Sequence, residues 1–367
     1  MSGGEAKHAI GLMSGTSMDG IDVALLRTNG GDFVERGPAR EYAFSQTQRE
    51  RLEAAVEEGR GASDPHELRR ALARLEAAVT DWHAEAVERF EKDAGVTAAI
   101  IGFHGQTVTH RPAEGWTLQL GDGARLAERL GRSVVFDFRT ADMEAGGQGA
   151  PLVPVYHAAL AEPLISADRA TISFLNIGGI ANATVLRRGE APIAFDCGPG
   201  NVLIDRWVAR EASLPFDPGG RIASEGRIAV DWIEAQMAAP FFKLEGPRSL
   251  DRLDFELPAS TAFDLADGAR TLARFTAEAA AASLAPYEPD LTIVCGGGRA
   301  NETLLADLRE LIAGDVATAE AFGLDGGAME AEAFAYLAVR CEMGLEITYP
   351  TTTGCRIAVS GGRLVRA

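Results

Sequence analysis

Short apolar runs recur along the chain at residues 8–13, 21–27, 98–103, 133–138, 171–177, 193–197 and 291–295, and each predicts a buried strand. Between them the apolar period changes. Leu68, Leu72, Leu75, Val79 and Trp82 fall at helical spacing within 64–93, and the alanine-rich stretches 264–285 and 328–342 predict further helices with a core-facing stripe. Strands alternating with amphipathic helices mark an α/β fold. A weak repeat emerges when residues 10–25 are set against 174–187, since each is a strand, a glycine turn and a second strand. Two such hairpins, each opening one half of the chain, predict two related α/β domains facing each other across a cleft. The glycine-rich segment Ala145–Pro151 lies between the halves and suits a crossover or hinge.

At 367 residues the chain exceeds the size at which one core usually stops growing, which agrees with two domains. Hydrophobic content of 46% with 24% charged residues supports a packed fold rather than disorder. The formal charge of −18, from 35 Lys+Arg against 53 Asp+Glu, argues against nucleic acid or an anionic membrane as partner. A protein so acidic must bind phosphates with backbone amides, a metal and a few placed basic residues. Cys197, Cys295, Cys341 and Cys355 show no paired spacing, so free thiols acting as small buried hydrophobes in a reducing compartment are expected. Residues 1–7 are polar, without the apolar core of a signal peptide, and no apolar run approaches the ~20 residues a membrane helix needs. A cytoplasmic location is the expectation.

Candidate chemistry concentrates in three glycine turns. In the first, residues 11–25, glycines turn backbone N–H groups toward an anion, Ser14, Thr16 and Ser17 offer hydroxyls, and Asp19 or Asp22 can hold magnesium, usually through water. The plain alternative is an ordinary Asp-Gly hairpin. The second, Phe195-Asp196-Cys197-Gly198-Pro199-Gly200-Asn201, joins a carboxylate to an anion site at the start of the helix-like run 202–210; otherwise it is a simple turn with Asn201 as N-cap. The third, Cys295-Gly296-Gly297-Gly298, would let a flat group such as adenine and its sugar lie against backbone. Other classes are excluded by missing motifs. The chain has no GxxxxGK[ST], no protein-kinase signatures, no GxSxG elbow and no HExxH among its histidines.

Hairpin, Asp-Gly turn and triple glycine, in that order and each after a strand, resemble the actin, hexokinase and heat-shock-protein ATPase superfamily. The likeness narrows with Met13–Gly20, Gly102–Thr107, Asp137–Asp142, Gly146–Pro154, Asn176–Asn182, Phe195–Asn201, Cys295–Gly298 and Glu330–Ala335, which together resemble the anhydro-N-acetylmuramic acid kinase family nearly end to end. That resemblance implies a two-domain actin-like ATPase fold of ribonuclease H type with an interdomain cleft. The implied domains are 1–140 with 341–367, and 141–340. It implies a kinase of cell-wall recycling that opens the 1,6-anhydro ring with water and phosphorylates O6 from ATP, giving N-acetylmuramic acid 6-phosphate and ADP. ATP and Mg2+ would be held by Ser14, Gly15, Thr16, Ser17, Met18, Asp19, Gly20 and Ile21, by Gly198, Gly200 and Asn201, and by Gly296, Gly297 and Gly298, with Asp19 toward the metal. Asp196 would be the base for the attacking water, and His104, Gln106, Arg139 and Glu330 would meet the sugar.

Each sugar-site assignment has a plainer counterpart. Arg139 suits a lactyl carboxylate, its plainer reading being a domain-bridging salt bridge; Glu330 suits a helix first turn, and His104 suits a backbone-bonded core position. The resemblance also implies a homodimer and a small-molecule sugar as partner. Three positions depart from the family pattern: Phe103 for a small polar residue, Cys197 for threonine, and Arg248, in Gly246–Asp251, for lysine. Two alternatives stand beside this activity. One is a kinase of another 1,6-anhydro sugar such as levoglucosan; the other is a silent sugar sensor, which the presence of Asp196 and the hairpin hydroxyls disfavours.

Overall fold

The apolar runs flanking the first glycine turn pair as an antiparallel hairpin, β1 (Lys7–Ser14) with β2 (Gly20–Thr28), in a computed structural model that describes residues 4–15, 17–244, 246, 248, 250 and 255–367. Next, β3 (Val34–Ala43) adds to β2 antiparallel, while β4 (Ile100–Arg111) lies parallel to β1 on its other side. Then β5 (Trp116–Leu120) folds back on β4, and β6 (Ser133–Phe136) joins β4 in parallel. A C-terminal strand, Arg363–Val365, closes antiparallel on β6.

The second sheet repeats the first. Strands β7 (Thr171–Ile177), β8 (Ile180–Arg187) and β9 (Ile193–Pro199) form an antiparallel meander, and β10 (Leu291–Cys295) and β11 (Asp315–Thr318) extend it in parallel beyond β7. The order β11-β10-β7-β8-β9 matches β6-β4-β1-β2-β3 strand for strand. The weak repeat is therefore structural: β1–β2 and β7–β8 hold the same place in two sheets of one design.

Strands that the apolar pattern left out lie where burial is thin. Along β3, Val34, Arg36 and Tyr42 are half-buried and the rest exposed, and Pro38 sits on this edge strand without cost to the ladder. The charged helix Gln46–Gly61 was likewise unmarked by periodicity, burying only Leu52, Ala55 and Gly59, but Ser45 and Gln48 start it with a capping box. The expected 64–93 helix is two, Pro65–Ala71 and Ala73–Ala94, broken at Leu72. The other two expected helices are Leu265–Leu284 and Met329–Glu342. Among the described residues no helix is long and apolar enough to cross a membrane.

Close packing on the first sheet comes from a pair of glycines. Gly11 of β1 and Gly102 of β4 are register partners, and both lie under the Met329–Glu342 helix. A Cβ on Gly11 would strike the Ala331 carbonyl oxygen, and one on Gly102 the Phe334 carbonyl oxygen. With hydrogen on both strands, the helix backbone rests directly on the sheet and buries Ala331, Phe334, Ala335 and Ala338. Polar anchors fix its rotation. Buried Glu332 pairs with Arg36 of β3 at 2.8 Å and accepts from the Tyr156 hydroxyl at 2.8 Å, while Tyr336 and Arg340 donate to the Gly31 and Gly30 carbonyls at 2.7 and 2.8 Å.

These anchors move the boundaries drawn from sequence. The chain divides into Met1–Leu160 with Ala328–Ala367, and Ala161–Gly327, rather than at 140 and 341. Residues 141–160 stay with the first unit because Thr353 donates to buried Asp142 at 2.6 Å and Tyr156 reaches Glu332. Residues 328–340 stay because the helix is seated on β1 and β4.

Gly102→Ala should destabilise the protein by about 2–4 kcal/mol, because backbone rather than a flexible side chain must give way. Gly61→Ala, at a helix end with open space round it, should stay within about 0.5 kcal/mol of the parent. Denaturant midpoints of the two variants check the contrast, and equal midpoints would refute it.

Candidate functional site

Strand pairing shapes the first hairpin before any ligand does. Ser14 is fully buried and its hydroxyl donates to the Gly105 carbonyl at 3.2 Å, across a bulge where Ser14 pairs with Gln106. Gln106, also fully buried, donates through Nε2 to the Gly15 carbonyl at 3.1 Å. Met18 turns the chain at φ 57° with its N–H on the Gly15 carbonyl, and Gly20 passes so close to the Tyr42 carbonyl that a Cβ would sit 2.7 Å from it. Ser14 and Gln106 therefore brace the turn, while Ser17 and Asp19 face outward and Ile21 joins the core. Thr16 lies outside the described residues. Among the described residues nothing pairs with the Asp19 carboxylate.

His104 and Arg139 form one unit. The His104 Nδ1–H donates to the Gly105 carbonyl at 2.7 Å, leaving Nε2 to accept from Arg139 Nη2 at 2.8 Å. Arg139 also donates through Nη1 to the Gly149 carbonyl at 2.7 Å. That carbonyl is positioned in turn by Asp142, whose carboxylate takes the Gly149 N–H at 2.7 Å. Burial, and then the Arg139 charge, hold the His104 imidazole well below its usual pKa, so it stays a neutral acceptor. Burial lowers Arg139 itself to about 10, still a cation at neutral pH. Glu330 opens the Met329–Glu342 helix at an exposed position, crowded enough by protein to raise its carboxyl, with the Arg139 charge pulling the other way. The two are coupled through space without a direct ion pair, and the helix anchored at Glu332 fixes Glu330 beside this cluster.

The second unit gathers its own group. The Gly200 and Asn201 N–H groups donate to the Gly179 and Gly178 carbonyls at 2.9 and 2.7 Å, and Asn201 Nδ2 to the Ile177 carbonyl at 3.2 Å. Gly296, at φ 74°, lies so near Asn176 and Ile177 that a Cβ would collide with them, and Gly298 packs on Ile177. Gly200, Asn201 and Gly296–Gly298 thus converge at the end of β7, with Gly297 exposed, whereas Gly198 pairs with Ala181 of β8 and packs against Ala279 and Phe242 instead. Asn201 stands at the start of the Val202–Ala212 helix without capping it through its side chain, which is spent on Ile177. Asn176, Gly178 and Gly179 were not singled out as site residues, although the glycine turn that carries them was visible.

Asp196 lies within β9 rather than at its end, opposite Asn182 of β8 and on the free edge of the sheet. Its backbone N–H is satisfied by the Arg248 carbonyl at 2.9 Å and its Oδ2 accepts the Leu250 N–H at 2.7 Å. Burial raises the carboxyl to about 6, against the pull of the Leu250 N–H and the Arg248 charge. Two of the departures are core residues. Phe103 packs on the His83 ring at 4.9 Å, and Cys197 is fully buried with its thiol pushed up to about 12. Among the described residues no group of three or more His, Cys, Asp or Glu side chains gathers as a metal site.

Two sheets of one strand order, each headed by a glycine hairpin with bracing behind it, define the duplicated ribonuclease H-like class that includes the actin-like ATPases. Comparison with known proteins narrows the class. The chain matches the anhydro-N-acetylmuramic acid kinase family over residues 7–367. It is 49% identical over 364 residues to an anhydro-N-acetylmuramic acid kinase from Rhizobium etli, covering 98% of each chain. It is 47% identical over 373 residues to one from Agrobacterium fabrum, covering 99% of this chain and 100% of that one. Among solved structures, a ROK family glucokinase from Streptomyces griseus in complex with glucose and AMPPNP overlays with TM-score 0.40 and 16% identity, covering 90% of this chain and 99% of that one. The chain belongs to the anhydro-N-acetylmuramic acid kinase family, and with it to the carbohydrate kinases.

The His104 ring should stay neutral, with its proton on Nδ1, from pH 8 down through pH 6, because burial and Arg139 both oppose a second proton. Nitrogen-15 NMR of the imidazole reports tautomer and charge directly. An imidazolium signal near pH 6.5 would overturn the assignment.

Proposed function

We propose that this protein opens the 1,6-anhydro bridge of anhydro-N-acetylmuramic acid with water and transfers the ATP γ-phosphoryl group to O6, yielding N-acetylmuramic acid 6-phosphate and ADP. Family membership along the whole chain supports the reaction. The observation that carries the choice of sugar is Arg139, a cation held by a neutral imidazole and a carbonyl, with no carboxylate among the described residues in direct ion pair with it and the Glu330 and Asp142 charges acting only through space. A lactyl carboxylate would supply the missing anion, and a guanidinium retains N–H donors for it beyond those given to His104 and Gly149.

Asp196 acts on the water. As the water oxygen bonds to C1, its proton passes to the Asp196 carboxylate and the C1–O6 pair moves onto O6. O6 then bonds to the γ-phosphorus, and the bond from that phosphorus to the β-bridging oxygen breaks toward ADP. With a pKa of about 6, Asp196 is largely ionised at neutral pH and is a stronger base than an ordinary carboxylate. Backbone N–H groups of the 14–21 hairpin and of the 296–298 turn would take the nucleotide, without Lys or Arg in the turns themselves, while the 198–201 turn, its Gly200 and Asn201 N–H groups given to the Gly179 and Gly178 carbonyls, would hold the 178–179 turn in shape beside it. Asp19, exposed and unpaired among the described residues, would hold magnesium through water, as suits an ion that keeps most of its hydration. Bound there, the ion would neutralise charge on the phosphates. A cytoplasmic homodimer belongs to the same proposal, on family grounds.

Asp196→Asn should fold and bind ATP yet lose turnover, since an amide takes no proton from water. In the parent, kcat/KM should fall below about pH 6 as the carboxylate becomes protonated. ADP release with the anhydro sugar measures both, and turnover of the variant within tenfold of the parent would remove Asp196 as base.

Arg139→Ala should lower kcat/KM on anhydro-N-acetylmuramic acid about ten- to a hundredfold, equivalent to a charge-assisted contact of roughly 1.5–3 kcal/mol. Levoglucosan, without the carboxylate, should lose far less. Equal losses on the two sugars would assign Arg139 to the fold or the phosphates.

A further inference from the structure

We propose that Arg248 is the positioning residue for Asp196, holding the strand that carries the base and supplying the cation that faces it; this rests on Asp196 being the base. Arg248 approaches from outside the sheet, on the open edge of β9. Its carbonyl accepts the Asp196 N–H, and its Nε returns a hydrogen bond to the Asp196 carbonyl, both at 2.9 Å. Both the N–H and the carbonyl of Asp196 are thus held, from the open edge, by one residue. Two positions on, the Leu250 N–H takes the Asp196 carboxylate itself.

The guanidinium ties this grip to the rest of the unit. Nη1 donates to the Leu244 carbonyl and Nη2 to Ser283 Oγ, each at 2.7 Å. Ser283 belongs to the Leu265–Leu284 helix and accepts Arg248 while its hydroxyl donates to the Ala279 carbonyl of its own helix at 2.8 Å, with the Cys197 carbonyl 3.2 Å away. The same guanidinium lies 4.9 Å from the centre of the Phe241 ring. Three acceptors on three elements meet one planar fork. Lysine would carry charge but no fork, so arginine here does two jobs that separate on substitution.

Among the described residues the other groups immediately beside Asp196 are neutral. Asn182 opposite cannot titrate, and burial keeps the Cys197 thiol protonated. Among the described residues Arg248 is the charge whose field reaches the carboxylate, and it favours the ionised form. Removing the charge must therefore raise the pH at which the base becomes ionised, whereas removing only the fork must loosen the base and leave that pH alone.

The test uses Arg248→Gln, Arg248→Lys, Ser283→Ala and Asp196→Asn in the full chain, with kcat against pH for the anhydro sugar and thermal midpoints as the folding control. Arg248→Gln should lower kcat about ten- to a hundredfold through misplacement and move the acid limb to higher pH. Arg248→Lys should lower kcat while its acid limb stays near the parent's. Ser283→Ala keeps the charge, so it should reduce kcat modestly without moving the limb, and it decides the matter should neither Arg248 variant fold. Unchanged kcat and limb in the Arg248 variants would overturn the proposal, as would a limb that fails to move in Arg248→Gln, or unchanged kcat in Ser283→Ala when that variant alone is available. Substantial turnover by Asp196→Asn would instead overturn the reading of Asp196 as base.

Discussion

The first unit depends on the contact made where Gly11 and Gly102 let the backbone of the Met329–Glu342 helix lie against β1 and β4. A methyl group on either strand would lift the helix off the sheet. Both site elements of that unit hang from this seat. β1 and β4 run on from the glycines into Ser14 and His104, and the helix presents Glu330 at its first turn. Buried polar bonds from Glu332, Tyr336 and Arg340 then choose one rotation of the helix over its neighbours. Packing sets the depth, and hydrogen bonding sets the register.

The chemistry of an acidic chain follows from how its few site charges are surrounded. With a formal charge of −18 it cannot attract polyanions by net charge, and its glycine turns offer dipoles instead. Cations are reserved for single tasks. Arg139 is aimed by a neutral imidazole and a carbonyl, and Arg248 is spent on the backbone around a carboxylate. Neutral partners leave the charge of each arginine available to another group, which a salt bridge within the chain would have cancelled.

The strands of both sheet centres were legible because they are apolar on two faces, and so was the duplication, because each half begins with the same hairpin grammar. Edge strands escaped for the opposite reason: β3 and β11 bury so little that no apolar run marks them. Boundaries were misplaced because periodicity shows that 328–342 is a helix but not which sheet it covers. The three glycine turns were recognisable as residues. What sequence could not tell was the division of labour behind them: Ser14 and Gln106 brace the hairpin, His104 serves Arg139, and Gly149 and Asp142 hold the second guanidinium contact. Those roles depend on which buried acceptor lies within reach, a matter of tertiary distance alone.

Arg139, a partly buried guanidinium whose direct partners are neutral, with the Glu330 and Asp142 charges reaching it only through space, has its desolvation only partly offset. An anion bound there, as proposed, would offset more of it. On that proposal, affinity and thermal resistance would be two readings of one electrostatic imbalance. Selection for sharper recognition at this position would run against selection for robustness of the empty chain.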